Sequence, residues 1–331
     1  MKSNAIKSPC YHSASYTMRT IVLFVCAGLV PLQFSCGDYF KNDYRDNSPT
    51  SGRLKVYCDE GMMPHVKNQS LTFMSQYPNA IVEWFEGTEH DAVMALYNDS
   101  CEAIVISRLL NEKEKNAFGY RQFDPKYSAV AKSGVAIICN YETPLSALSL
   151  QAIRNLVTSG EAVNDSTGRK MELRVLFDRN GSSVMRYITD SVIKTRKLSS
   201  NCSALASSRE TINYIATHKG TLAFIDFAWL SDKDDSLYKA NADKIRFVGI
   251  TGGNGQSAEY PSQSSFKTGT YPFTRTVYVY RKTGDFTLAK GFESFVAGPK
   301  GQLTFLKQGL LPNRQAERVI EVKMEPLDVN P

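Results

Sequence analysis

Short apolar segments alternate with amphipathic segments along this chain from Leu54 onward. Residues 62–77 place apolar side chains roughly at the three- and four-residue spacing of a helix face. Residues 135–139 and 221–225, in contrast, are apolar almost throughout. Strands of this kind, separated by helices, are typical of an α/β fold whose parallel sheet is covered on both faces.

The same pattern assigns elements to most of the chain. Strands are predicted over residues 54–58, 80–85, 102–106, 135–139, 173–177, 221–225 and 273–280. Helices are predicted over residues 62–77, 89–97, 112–118, 149–157, 182–195, 210–217, 288–296 and 302–308. Residues 251–271 are polar and rich in Gly and Ser, which predicts a loop.

The N-terminal region has the pattern of a targeting segment. An apolar run over residues 21–30 follows Arg19 and is too short to span a bilayer comfortably. Ser35-Cys36 comes shortly after it and resembles a bacterial lipobox, although Gln33 stands where an aliphatic residue is usual. We therefore expect residues 1–36 to be a signal peptide, Cys36 to carry the lipid, and the polar residues 37–53 to be a tether.

Composition narrows the functional class. The chain has 331 residues, enough for one large core or two modest ones, and a net charge of +6. Its Lys and Arg residues are scattered, so no nucleic-acid-binding stripe is expected. Four cysteines follow Cys36 without a CxxC pair, which argues against structural zinc and leaves their disulfide pairing open. The histidines lack a nucleophile and a carboxylate at a catalytic spacing, so no enzyme, cofactor or metal site is predicted.

A polar turn over residues 178–183 is the main candidate for chemistry. It separates a predicted buried strand from a predicted helix and contains Arg179, Gly181, Ser182 and Ser183. The first N–H groups of a helix lack internal partners and lie at the positive end of its dipole, so this turn suits an anion. The alternative is a serine N-cap beside a surface arginine.

The order of several motifs resembles the phosphate-binding subunit of bacterial ABC importers. The motifs are Ser107-Arg108, residues 134–140, residues 148–154, the 178–183 turn, residues 220–225, residues 271–275 and residues 309–312. The resemblance covers roughly residues 54–322 and implies a two-lobed periplasmic-binding-protein fold of type II, with two mixed or parallel sheets joined by two crossing segments. It implies a first lobe of residues 54–134 plus 275–325, and a second lobe of residues 135–274 that includes the hinge crossings.

The resemblance also implies a set of ligand-binding residues. These are Arg179, Gly181, Ser182, Ser183, Val184, Thr88 and Ser107. Arg179 lies one residue nearer the serine than in the family, and Val184 replaces a threonine. The acidic pair Asp59-Glu60 occupies a loop where the family has small residues and a hydroxyl, and we expect these carboxylates to repel a phosphate dianion.

The resulting expectation is a monomeric periplasmic lipoprotein, anchored to the membrane through Cys36. It would capture inorganic phosphate or a similar oxyanion and deliver it to the permease subunits of an ABC importer. Two alternatives stay open: a binder of a different small anion, and a lipid-anchored interaction or scaffold protein of the cell envelope built on a binding-protein fold.

Overall fold

The computed structural model describes residues 47–252, 257–282 and 284–314. The predicted signal peptide with Cys36, tether residues 37–46 and the predicted end of the first lobe, 315–325, lie outside these ranges. Within them, no helix combines the length and hydropathy needed to cross a membrane.

The strands follow the predicted order, with short ones added. They are β1 (Gly52–Asp59), β2 (Ala80–Gly87), β3 (Ala103–Ile106), β4 (Lys126–Asn140), β5 (Ala147–Ser149), β6 (Val163–Asn164), β7 (Lys170–Met171), β8 (Arg174–Phe177), β9 (Cys202–Ala204), β10 (Thr221–Asp226), β11 (Ile245–Phe247), β12 (Gly249–Thr251), β13 (Thr274–Arg281) and β14 (Leu311–Pro312).

The predicted helices are also found within a few residues at their ends, except for 182–195, where a short α-helix is followed by a π-helix over Ile188–Ile193. The α-helices are α1 (Met63–Gln76), α2 (Glu89–Tyr97), α3 (Glu112–Tyr120), α4 (Leu150–Ser159), α5 (Ser183–Tyr187), α6 (Ser208–Thr217), α7 (Ser236–Asn241), α8 (Gln263–Thr268), α9 (Leu288–Ala297) and α10 (Pro299–Lys307).

Strand β4 divides the main sheet into two halves. Its first part, to Gly134, pairs with β13, which continues through β3 and β1 to β2; we call these strands the first half-sheet. Its second part, from Val135, pairs with β10, which continues through β8 to β9; we call these the second half-sheet. The sheet is mixed, because β13 and β10 run antiparallel to β4 while β1, β2 and β3 run parallel to one another. This α/β architecture agrees with the fold that the resemblance implies.

Buried apolar side chains join the sheet to the helices. Phe73 of α1, Ile137 of β4 and Phe224 of β10 are all fully buried members of one core that extends across both half-sheets. Cys58, Cys101 and Cys139 are buried free thiols, and Cys202 is a half-buried one. The described cysteines therefore stabilise the fold by packing rather than by cross-linking.

Three further segments differ from the predicted pattern. The predicted loop 251–271 contains helix α8, which Ser262 caps by accepting a hydrogen bond from the Ser265 N–H at 3.1 Å. The predicted strand 135–139 is only the second part of β4, which begins at Lys126. The predicted tether overlaps a folded region, since Asn47 accepts a hydrogen bond from Leu288 N and β1 begins at Gly52.

Candidate functional site

The carboxyl ends of strands from both half-sheets meet at one place. Asp59 ends β1 and accepts a hydrogen bond of 2.5 Å from the Ser183 hydroxyl, which follows β8. Glu89, just beyond β2, accepts a hydrogen bond of 2.7 Å from Nε of Arg186 in α5. This is the edge at which open α/β sheets hold their ligands, and we call it the interlobe site.

The 178–183 turn has the predicted shape at the start of α5. Gly181 has a φ of +72°, which a residue with a side chain rarely adopts. The Ser182 hydroxyl caps the helix by accepting from Met185 N at 3.1 Å, and it donates to Asp178 Oδ1 at 2.5 Å. Ser182 is therefore used for capping, which was the alternative interpretation of this residue.

Ser183 has a different environment from its neighbour. Its hydroxyl oxygen accepts from Nη1 of Arg275 at 3.0 Å while its proton goes to Asp59. Arg275 also forms a buried ion pair with Asp226, whose other oxygen accepts from the Ser133 hydroxyl at 2.7 Å. Ser183 thus links a guanidinium group to a carboxyl group in the centre of the site.

The acidic pair Asp59-Glu60 lies inside the site, against the second half-sheet. Glu60 accepts two hydrogen bonds from Ser208, the first residue of α6: 3.0 Å from the N–H and 2.7 Å from the hydroxyl. Burial raises the pKa of both carboxyl groups, and that of Asp59 is raised well above its usual range. Both carboxyl groups are paired with serines at helix starts, and their burial favours the neutral acid over the carboxylate.

Glu89 connects the two half-sheets through hydrogen bonds to several donors. One of its oxygens accepts from both the N–H and the hydroxyl of Ser107 at 2.9 Å, and the other accepts from Arg186 and Arg108. Burial would raise the pKa of Glu89, but Arg186 and Arg275 hold it below its usual range. Arg108 also donates hydrogen bonds of 2.7 and 2.8 Å to Glu114. The Ser107 hydroxyl, predicted as a ligand contact, donates to Glu89 in this structure.

The remaining predicted ligand residues lie nearby with different roles. Thr88 caps α2 in a reciprocal arrangement with Asp91, so its hydroxyl is engaged. A Cβ at Gly181 would lie 3.9 Å from the Thr88 methyl group, which brings these two residues together across the site. Val184 is fully buried. Arg179 is half-buried, and in the described part of the chain its side chain has no hydrogen-bond or salt-bridge partner.

Sequence reasoning missed the buried charges at the centre of the site. Arg275 and Asp226 are 4% and 0% exposed, and neither was among the predicted site residues. Asp178, 1% exposed, was seen only as part of the turn. For Asp226 and Asp178 the available signal was a carboxylate directly at the end of an apolar strand, because such a residue is either at the surface or paired inside a site.

A cavity of about 760 Å³ lies beside the interlobe site. Its lining includes Gly181 and Asn180 of the turn. Charged groups of both signs also line it, namely Arg108, Arg186, Arg196, Glu89, Glu114 and Asp190. The cavity could therefore admit a polar ligand to the turn from solvent.

Comparison with known families gives a match over most of the chain. The family model described as a PBP superfamily domain matches residues 45–300. No curated protein matches this chain.

Solved structures share the fold at low sequence identity. A protein of Clostridium perfringens assigned as a phosphate ABC transporter substrate-binding protein, solved with bound phosphate, is 18% identical with a TM-score of 0.66; the match covers 80% of this chain and all of that one. An ABC-type phosphate transport receptor from Vibrio cholerae is 14% identical with a TM-score of 0.59, covering 79% of this chain and all of that one. The CcmR regulatory domain of Synechocystis in complex with 2-PG is 13% identical with a TM-score of 0.50, covering 74% of this chain and 95% of that one.

Proposed function

This chain belongs to the PBP superfamily, and we propose from this that it is an extracytoplasmic solute-binding protein. Its ligand is an oxyanion, with inorganic phosphate the first candidate, held at the interlobe site and delivered to the permease subunits of an ABC importer. Attachment to the membrane through a lipid on Cys36 and a monomeric state are part of the same proposal.

One observation carries the proposal: the Ser183 hydroxyl, which accepts from Arg275, donates to a carboxyl oxygen between the two half-sheets. The position therefore already accommodates an oxygen of an acidic group. Arg179 lies in the turn beside it without a partner in the described structure, so its guanidinium is available for a bidentate contact with an anion. The adjoining cavity reaches the turn at Asn180 and Gly181.

Binding to the full chain, dialysed free of ligand and kept in detergent, tests this function. We expect phosphate to raise the thermal unfolding temperature and to give a saturable calorimetric titration. Ligand at 100 times its dissociation constant adds about 2.7 kcal/mol of stability. Arg179→Ala should weaken binding, because it removes the free guanidinium.

Sulfate and arsenate in the same assay show whether the ligand is phosphate or a different small anion. The proposal fails if none of the three anions shifts unfolding and Arg179→Ala behaves like the wild type.

A second function, an interaction or scaffold protein of the envelope, is supported by a different observation. The carboxyl groups of Asp59, Glu60 and Glu89 each accept a hydrogen bond from α5 or α6, helices that follow strands of the second half-sheet, so the protein's own side chains join the two halves. This candidate predicts no anion binding by the wild type, together with a loss of stability when these interlobe bonds are removed.

A further inference from the structure

The carboxyl group of Asp59 occupies the position that faces the start of α5. Asp59 is 1% exposed, and its Oδ2 lies 2.5 Å from the Ser183 hydroxyl. Asp59 and Ser183 are 124 residues apart in sequence, so this contact belongs to the tertiary structure. An incoming anion at this helix start would meet the same hydroxyl that Asp59 already uses.

The loop after β1 is shaped to place that carboxyl group there. A Cβ at Gly61 would lie 2.9 Å from the Asp226 Cβ, closer than real Cβ atoms come, and 3.0 Å from Asp59 Oδ2, a tight contact. The absence of a side chain at position 61 therefore lets the chain approach Asp226. The neighbouring Glu60 is fixed in parallel by its two bonds to Ser208.

The surrounding groups can bind more oxygens than Asp59 supplies. Nε of Arg275 is buried and has no hydrogen-bond partner in the described structure, although the same guanidinium bonds Ser183 and Asp226. Oδ2 of Asp178, also buried and likewise without a partner there, is an acceptor that could receive the proton of a phosphate hydroxyl. A carboxyl group has two oxygens whereas phosphate has four, so a free anion could use groups that Asp59 leaves unused.

We propose that Asp59 is a tethered substitute for the anion, which occupies the Ser183 position without ligand and must leave when phosphate binds. This inference rests on the proposed function for the location of the anion site. A tethered group competes for the site at an effective concentration of roughly millimolar. Phosphate binds only the fraction of molecules in which Asp59 has left the site, so its apparent affinity is lower than the intrinsic affinity by that fraction. Asp59 then sets the affinity of the site.

Phosphate titrations of the wild type and Asp59→Ser, both as the full chain, test the proposal. We expect Asp59→Ser to bind phosphate at least tenfold more tightly, because the shorter side chain vacates the position. Glu86→Gln is the matched control, since Glu86 is an exposed carboxylate near the same loop and does not contact Ser183. It should change the dissociation constant less than threefold.

Asp59→Ala, which also vacates the position, replaces the serine variant if thermal unfolding shows that Asp59→Ser does not fold. The proposal is overturned if neither variant binds phosphate more tightly than the wild type, or if Glu86→Gln gives an equal gain. The proposed function is judged on the wild type alone. Tight binding by Asp59→Ser beside a non-binding wild type would support the tethered substitute and refute a transport role for the natural chain.

Discussion

At the scale of the residue, Asp178 is a buried carboxyl group in the turn before α5. It accepts hydrogen bonds from Arg179 N at 2.9 Å and from the Ser182 hydroxyl at 2.5 Å, while its second oxygen has no partner in the described structure. Burial raises its pKa to about 7. A neutral carboxylic acid therefore fits this position better than a carboxylate.

The raised pKa of Asp178 predicts a pH-dependent stability. A carboxyl group with a raised folded-state pKa stabilises the fold most at low pH, and this contribution is lost as pH rises from about 4 to about 7. The side chain of Asp178→Asn is always neutral. We therefore expect the free energy of unfolding of this variant, relative to that of the wild type, to rise by roughly 2–4 kcal/mol from pH 4.5 to pH 8. Urea unfolding at both values measures this.

Asp91→Asn is the control for that experiment, because the pKa of Asp91 is shifted in the opposite direction to that of Asp178. Hydrogen bonds from Thr88 lower the pKa of Asp91, so its contribution to stability is lost as pH falls. If the stability difference between Asp178→Asn and the wild type did not change with pH, Asp178 would be ionised in the fold.

At the scale of the element, the helix after the turn departs from its predicted form. The pattern predicts one helix over 182–195, but α5 gives way at Ile188 to a π-helix that ends at Ile193. Thr189 donates its hydroxyl to Arg186 O at 3.0 Å, which competes with regular helical bonding. Periodicity identifies such a helix but does not register the one-residue expansion, because the apolar spacing hardly changes.

Helix α9 makes an equally specific contact with the segment before β1. A Cβ on Gly291 would overlap the Pro49 carbonyl oxygen, so the two backbones are in direct contact. We expect Gly291→Ala to displace residues 47–51 and to lower the free energy of unfolding by about 1–3 kcal/mol. Urea denaturation of the two proteins measures the difference.

Gly119→Ala is the matched substitution, because a Cβ there meets nothing within 4 Å. Gly119 lies within α3, so alanine should stabilise that helix by roughly 0.5–1 kcal/mol. Equal stabilisation by Gly291→Ala would show that the contact with Pro49 is absent in solution.

At the scale of the whole molecule, Glu89 joins the two half-sheets. It is 2% exposed and receives Arg186 from the second half-sheet and Ser107 and Arg108 from the first. Removing one partner of a buried pair leaves the other charge uncompensated. We expect Glu89→Gln to lower the free energy of unfolding by about 3 kcal/mol, measured by urea denaturation.

Glu114→Gln separates the interlobe effect from the loss of any ion pair. Glu114 binds the same Arg108, but does so within the region of the first half-sheet, and it is less buried. Its substitution should cost about 1 kcal/mol. Equal losses for Glu89→Gln and Glu114→Gln would indicate that Glu89 contributes nothing special to joining the half-sheets.

The sequence by itself determined the elements, the α/β class and the turn before α5. Apolar runs such as 221–225 and the Gly-Ser-Ser motif at 181–183 specify strands and a helix start through local physics, namely side-chain periodicity, capping and the conformational freedom of glycine. The suitability of the turn for an anion also follows from its local sequence, because the N–H groups of a helix N-terminus lie next to one another in the chain.

Only the tertiary structure decided which groups meet at that turn. Ser183 forms hydrogen bonds with Asp59 and Arg275, which lie 124 and 92 residues away in the sequence. The Ser182 hydroxyl instead caps its own helix. Asp59 was predicted to repel a ligand, yet in the fold it is paired with the hydroxyl that such a ligand would use. Burial and long-range pairing set the charge and partners of a carboxyl group, and neither is encoded in the residues beside it.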